Sequence, residues 1–346
     1  MVDFFHHAEL MEAPPVKRAA YSDRTAWIMA ELARLVYERL PNEQELEELL
    51  QRLMDAIRAE SPKRKLLPLV KELAASTNEI QESQTEAVLK SSKFELVSTY
   101  SINGTECMVV KMAPNKKAGF AGMFVIVFRG TEPTSMADLK SDLKANLVPA
   151  DGGGRVHEGF MKAYEHVAPN LVEDIKKAGN LPIYITGHSL GGALALVATR
   201  YICCDSVGAT YTFGGPRVGD DAFFRGIKTP IYRIVNAADG VARVPFGAGF
   251  SIFLAAIRLI PINGTRIISK WMEKHFGGYT HYGDLKLLTA PSDSKAVEVL
   301  SSPSIFKSVI QVIAPRMIAT RGRAAAEDHS MIGYSRKLAD YALKRI

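Results

Sequence analysis

Three residue types in this 346-residue chain could together activate an otherwise inert hydroxyl: a serine between glycines, an aspartate beyond it, and a histidine further on. Ser189 lies in Gly187-His188-Ser189-Leu190-Gly191-Gly192. A glycine-x-serine-x-glycine string alone means little, since with ~7% glycine it arises by chance in roughly one chain of this length in ten. Its surroundings carry the reading. The run Leu181-Pro182-Ile183-Tyr184-Ile185-Thr186 before it has the apolar, β-branched and aromatic make-up of a buried parallel strand. The run from Ala193 to Tyr201 after it is apolar nearly all round, as in a buried helix. Strand, tight corner and helix in that order form an elbow that exposes a nucleophilic hydroxyl. Gly187 and Gly191 omit a Cβ where the two backbones approach.

A serine hydroxyl needs a general base, and the base needs a group to orient it. In chains built on such an elbow the acid follows the serine and the histidine follows the acid. Ile231-Tyr232-Arg233-Ile234-Val235 reads as a strand, and Asp239 sits in the loop after it, where ligands of open α/β sheets gather. Asp205, Asp220 and Asp221 compete for the role but fall at a helix end or in a turn. Two histidines satisfy the chain order: His281, in Gly278-Tyr279-Thr280-His281-Tyr282-Gly283, and His329, in Ala326-Glu327-Asp328-His329-Ser330-Met331. Spacing alone does not choose between them. His188 precedes the serine and points away from its hydroxyl, which suits a structural role. The amide of Leu190, after the nucleophile, is one expected donor to a developing oxyanion.

The elements that must position these groups alternate between strand and helix. Residues 94–100 and 107–112 flank Asn103-Gly104 as a predicted hairpin, and Met123–Phe128 reads as a core strand. A polar helical segment is expected at 135–147 and another helix near 158–178. Strands follow at 209–213, 231–235 and 281–288, and a helix closes the chain after His329. The pattern predicts an α/β fold with a mostly parallel central sheet flanked by helices. Residues 1–90 are read as an N-terminal helical cover and 91–346 as the catalytic domain. Within the cover, Ser22-Asp23 can cap a helix carrying Trp27, Ile28, Leu32, Leu35 and Val36. Asn42 and Glu45 resemble a capping box before Leu46, Leu49, Leu50, Leu53 and Ile57.

The bulk numbers exclude several classes. Hydrophobic residues make up 47% and charged residues 23%, as in an ordinary globular protein. Cys107, Cys203 and Cys204 cannot build a disulfide framework and show no C-x-x-C metal spacing. The first residues lack the basic-then-apolar order of a signal peptide, so a cytoplasmic location is the default expectation, with non-Sec export or peripheral membrane association as alternatives. The net charge of +6 is scattered and no nucleic-acid module is evident. Val244–Ile257 is too short an apolar stretch to span a bilayer. Asn103-Gly104-Thr105 and Asn263-Gly264-Thr265 match glycosylation sequons but are read as turns.

The chain resembles the class 3 lipases, the α/β-hydrolase family of fungal triacylglycerol lipases. The resemblance rests on Val127-Phe128-Arg129-Gly130-Thr131, Val156-His157-Glu158-Gly159-Phe160, the Ser189 elbow and Thr212-Phe213-Gly214-Gly215-Pro216-Arg217-Val218-Gly219. It continues through Arg233-Ile234-Val235-Asn236 with Asp239, Val241 and Pro245, and ends at Asp328-His329. It covers roughly 94–345 and leaves the first ninety residues uncovered. It implies an α/β-hydrolase fold and a triad of Ser189, Asp239 and His329, with His281 in a structural role. It also implies Thr131 as the second oxyanion donor beside Leu190. Leu139 stands where the family usually has tryptophan, and Ala242 where the acid loop usually has proline.

In that family the helix after the oxyanion residue acts as a lid. Here Met136, Leu139, Leu143 and Leu147 share one face, opposite Asp138, Lys140, Asp142 and Lys144. The apolar run 246–257 and the series Ile305, Phe306, Val309, Ile310, Ile313 and Met317 are expected to wall an acyl pocket or meet a lipid surface. The reading is a serine carboxylic-ester hydrolase cleaving acylglycerol esters through an acyl-enzyme, with no metal or cofactor. A soluble short-chain esterase or a phospholipase is the alternative within the class. A non-catalytic hydrolase-fold binding module is the alternative outside it.

Overall fold

Asn103 and Gly104 close the predicted hairpin with φ of 48° and 77°, the left-handed pair that a two-residue hairpin turn requires. In this computed structural model, residues 4–11, 20–38, 43–59, 62, 64–72, 84–117, 119–130, 147–202, 207–243, 278–289, 296–304, 308–321 and 323–345 are described. The hairpin joins β1 (Phe94–Ile102) to β2 (Thr105–Met112), and β2 pairs antiparallel with β3 (Met123–Phe128). β4 (Leu147–Pro149) and β5 (Arg155–His157) form a separate ribbon. Beyond β3 the main sheet turns parallel through β6 (Ile183–His188), β7 (Val207–Phe213), β8 (Ile231–Asn236) and β9 (Asp284–Leu288). β10 (Val299–Ser301) closes the far edge antiparallel to β9. The eight-stranded order β1-β2-β3-β6-β7-β8-β9-β10, parallel at its centre and flanked by helices, is an α/β-hydrolase sheet.

Both faces of this sheet are covered, which is why β2 and β3 read as unbroken apolar runs. Cys107, Val109, Phe124, Ile126 and Phe128 face one layer; Met108, Val110, Met123, Val125 and Val127 face the other. Ten helices are used below by number in chain order, beginning with α1 (Ala8–Met11), α2 (Asp23–Leu35), α3 (Glu43–Arg58), α4 (64–72) and α5 (Gln84–Ser91). After them come α6 (Glu158–Ala178), α7 (Leu190–Tyr201), α8 (Asp221–Phe224), α9 (Ala314–Ala319) and α10 (Met331–Leu343). α6 and α7 cover the Cys107 face, while α2 and α10 cover the Met108 face.

Within the stretch read as an N-terminal cover, α2 is a core helix. Ser22 caps it by accepting from the Thr25 amide at 3.3 Å, and residues 25–33 are all buried. It lies against β6, the strand that carries the nucleophile elbow, and beside α10. Glu31 is buried in this layer and accepts from the Phe5 amide (2.8 Å), the Arg34 guanidinium (2.9 Å) and the Ser335 hydroxyl. Three donors offset the desolvation of that carboxylate.

Several expectations fall on undescribed residues: most of the lid segment 135–147, the apolar run 246–257, Ile305, Phe306, Asp205, Cys203, Cys204 and the sequon at Asn263. Leu147 opens β4. Of the apolar series before His329, Ile313 and Met317 are half-buried, and the side chains of Val309 and Ile310 lie outside the described ones. A wide π-type turn at Ser308–Ile313 buries Val312 against Val235, Ala237, Ala242 and Leu287, while Ile318 on α9 is 77% exposed. Val312 therefore packs beneath the acid loop. Among the described residues, no helix is long and apolar enough to cross a membrane.

Candidate active site

Ser189 is the hinge between β6 and α7, with φ 55° and ψ −126°. A non-glycine residue held there stores about 1–3 kcal/mol of backbone strain. The surroundings leave no alternative. A Cβ on Gly187 would lie 2.3 Å from the Gly191 carbonyl oxygen, and one on Gly191 would lie 2.3 Å from that of Phe128. The Ser189 amide donates to the Phe213 carbonyl at 3.0 Å, pinning the elbow to β7. The side chain is buried, and its Oγ has no hydrogen-bond partner. Leu190 opens α7, so its amide has no acceptor within the helix and lies at the positive end of the helix dipole.

Asp239 follows β8 and is fully buried. Its two carboxylate oxygens lie 3.1 and 3.0 Å from His329 Nδ1. Oδ2 also accepts from the Tyr334 hydroxyl at 2.6 Å, and Oδ1 from the Val241 amide at 2.9 Å. Burial, and then the charge of Asp239, raise the Tyr334 phenol well above its ordinary range, so it stays protonated and donating. The same phenol oxygen accepts from the Asn236 amide at 2.9 Å.

His329 sits just before α10, with its Nε2 buried and without a partner. Its loop is stapled to the acid loop by Asp328. The Asp328 carboxylate accepts from the Ala238 amide (3.0 Å) and from Arg316 (3.0 Å), while its carbonyl accepts from Asn236 Nδ2 (2.8 Å). His188, read as structural, packs its ring on that of His329 with centroids 4.4 Å apart. Its Nε2 donates to the His329 carbonyl at 2.8 Å, which leaves Nδ1 to accept from the Tyr37 hydroxyl at 2.9 Å. Burial, reinforced by the neighbouring His329, holds His188 well below the usual histidine range.

The competing residues are occupied elsewhere. Asp220 caps α8 by accepting from the Phe223 amide at 2.9 Å and pairs with Arg155. Asp221 lies in the first turn of α8. His281 donates through Nε2 to the Ala242 carbonyl at 2.7 Å and so holds the turn after Asp239. Thr131 lies outside the described residues, but Gly130 before it is tight against the elbow. A Cβ there would be 2.5 Å from the His188 carbonyl oxygen and 3.2 Å from Ser189 Cβ. Sequence reasoning missed Tyr334 and Tyr37 and the stapling roles of Asn236 and Asp328. Asn236 and Asp328 carried a signal, being part of the motifs that hold Asp239 and His329.

A cleft of about 450 Å³ opens beside Gly130 and Leu190, within the usual size range for small-ligand sites. Phe160, Ala163, Leu190 and Leu194 give it an apolar wall. Its polar end holds Arg129 and Glu106, which are paired to each other at 2.6 Å.

A sequence model of the family Lipase (class 3) matches residues 125–248. The secreted mono- and diacylglycerol lipase 1 of Fusarium solani is 39% identical over 101 residues, which are 27% of this chain and 30% of that protein. A lipase of Rhizomucor miehei is 33% identical over 168 residues, 44% of each chain. The chloroplastic phospholipase A(1) DAD1 of Arabidopsis thaliana is 32% identical over 148 residues, 35% of this chain and 33% of that one. The chain thus spans less than half the length of these curated relatives. Among solved structures, the R. miehei triacylglyceride lipase aligns with 78% of this chain and 91% of its own, at 24% identity and a TM-score of 0.48. The lipase of Rhizopus microsporus var. chinensis aligns with 83% and 86%, at 21% identity and a TM-score of 0.48.

Proposed function

We propose that this chain, which belongs to the class 3 lipase family, is a serine carboxylic-ester hydrolase that cleaves acylglycerol esters through an acyl-enzyme. The observation that carries the reading is the pairing of Asp239 with His329 Nδ1, close to an elbow whose serine Oγ has no partner, as His329 Nε2 has none. Buried polar atoms ordinarily find partners, so two orphans of complementary chemistry suit a reaction centre awaiting substrate. Catalytic hydrogen bonds are often unformed until substrate binds.

Ser189 Oγ attacks the ester carbonyl and passes its proton to His329 Nε2. Asp239 stabilises the resulting imidazolium through Nδ1 and fixes the tautomer. The oxyanion meets the Leu190 amide at the helix N-terminus, with Thr131 as the second donor implied by the family motif; one such donor supplies ~3 kcal/mol. The imidazolium protonates the leaving alcohol, and water, activated by the same histidine, resolves the acyl-enzyme. The apolar wall of the cleft suits an acyl chain. Because Arg129 is engaged by Glu106, that cleft favours a neutral ester over a phosphate-bearing head group.

The test is hydrolysis of a short-chain triglyceride below and above its solubility limit, beside a Ser189→Ala control. A rate jump at the limit that the control lacks supports a lipase acting at an interface. Smooth saturation supports a soluble esterase. Rates equal to the control across a broad ester panel overturn the hydrolase and leave the binding module.

A further inference from the structure

Two peptide bonds flank His329, and a side chain holds each. The carbonyl of His329 accepts from His188 Nε2 at 2.8 Å, and that of Asp328, which enters His329, accepts from Asn236 Nδ2 at 2.8 Å. With both peptide planes fixed, the Cα–Cβ direction of the base is fixed as well. His188 is oriented in turn by the Tyr37 hydroxyl at 2.9 Å. Asn236 is oriented by Lys337, whose Nζ donates to its Oδ1 at 2.5 Å. Asn236 is buried at the end of β8, so its amide has no solvent to turn toward. An ammonium can only donate and a carbonyl can only accept, so Lys337 and Asp328 together allow that amide one orientation.

Lys337 comes three residues after Tyr334 on α10, which sets the two side chains on one face of the helix. Tyr334 takes the main-chain amide of Asn236, at 2.9 Å, and Lys337 takes its side chain. A half-buried ammonium in this place is costly to desolvate. Burial pulls its pKa down to about 8; Asp328 in the base loop opposes that shift and Arg316 on α9 adds to it. Asp328 does not need the charge, being answered by Arg316 at 3.0 Å and the Ala238 amide at 3.0 Å. The partner that Lys337 reaches is the neutral Asn236 oxygen.

We propose that Lys337 is a positioning residue for His329, acting through Asn236 on the peptide bond that enters the base. Its kinetic consequences rest on the ester-hydrolase reading, its structural ones on geometry alone. Lys337→Met should lower kcat for a water-soluble short-chain ester about tenfold and leave KM unchanged. The loss should also depend on pH, because an ammonium bonds a carbonyl oxygen more strongly than the neutral amine does. As pH rises through about 8 the parent loses that proton, and the parent-to-variant ratio of kcat should shrink severalfold. Lys337→Arg keeps a cationic donor that does not titrate. It should restore kcat to within about twofold of the parent and hold it above that pH.

An unchanged kcat in Lys337→Met, a loss of equal size on both sides of about pH 8, or a change confined to KM overturns the proposal. Each would leave Lys337 a packing role alone. Where the Met chain does not fold, Lys337→Arg decides: an alkaline fall in kcat like the parent's overturns the proposal. The proton on His329 Nδ1 gives a reading independent of turnover, since its low-field NMR resonance reports the bond to Asp239. Lys337→Met should shift or broaden that resonance, and an unchanged one overturns the proposal. A parent that hydrolyses no ester, with a resonance that moves in Lys337→Met, would remove the hydrolase reading and leave the positioning of His329 standing.

Discussion

The two halves of the site are held in opposite ways. Asp239 and His329 are fixed by side chains: Tyr334 and the Val241 amide grip the carboxylate, Asp328 joins the loops, and His188 holds the His329 carbonyl. Ser189 is fixed by backbone alone, through a positive φ, two neighbouring glycines and one amide bond to β7. The difference follows from what each half must do. On the proposed mechanism the imidazole keeps one orientation while it gains and loses a proton, so its partners saturate every direction but one. On the same mechanism the hydroxyl stays unengaged to attack, and a strained corner presents it without a side-chain partner. Replacing the Ser189 side chain should therefore affect chemistry with little effect on stability, and substitutions on the acid–base side should affect both.

The sharpest break is Ser189→Ala. It should lower kcat about 10⁶-fold and leave the urea midpoint within experimental scatter of the parent. A large loss of stability would mean that the elbow is held by the hydroxyl, contrary to the comparison. Asp239→Asn comes next, with a fall in kcat of about 10⁴-fold. It should also destabilise, because Tyr334 and the Val241 amide would then bond to a neutral amide whose NH₂ end has donors on either side. Equal stability of Asp239→Asn and the parent would remove the asymmetry between the halves.

Tyr334→Phe is a finer cut through the acid–base half. It deletes one donor to Asp239 and leaves the buried Asn236 amide without its acceptor. A loss of about 1–3 kcal/mol in stability is expected, with kcat reduced about tenfold for a charge-assisted bond of ~1.5 kcal/mol and KM unchanged. A change confined to KM would place Tyr334 in substrate binding instead.

How much of this was legible beforehand differs between the same two halves. The elbow is local: glycines, serine and the flanking apolar runs adjoin in the chain, so composition and order reveal it. Asp239, which pairs with His329, was legible because it follows an apolar strand. Its histidine partner was not, since His281 and His329 both satisfied the order, and only the Asp328-His329 resemblance favoured one. The structure separates them by partner, Ala242 for His281 and Asp239 for His329. Tyr334 and Tyr37 left no trace in the sequence. Each acts across a separation of 95 or 151 residues, and a tyrosine in a helix or at its end looks like any other packing residue. The same limit applies to the N-terminal helices. Periodicity marks an apolar face on both α2 and α3, yet it does not say that α2 is buried on nearly every side while α3 leaves half its stripe in water.

His188 joins the halves, being the residue before the nucleophile and the support beneath the base, and its protonation is the smallest effect to test. Its folded pKa is depressed by burial, whereas in the unfolded chain it titrates near about 6.5. Below about pH 6.5 the unfolded chain therefore binds a proton that the folded one refuses. Stability is fully present above that pH and is lost as pH falls toward the folded pKa, by up to about 1.4 kcal/mol per pH unit for one group. His188→Gln can keep a donor toward the His329 carbonyl but does not titrate. Urea unfolding of parent and variant across this window should give a shallower slope for the variant, with the two curves approaching each other as pH falls. Parallel slopes would mean that His188 accepts its proton in place, and that its bond to Tyr37 opens without opening the site.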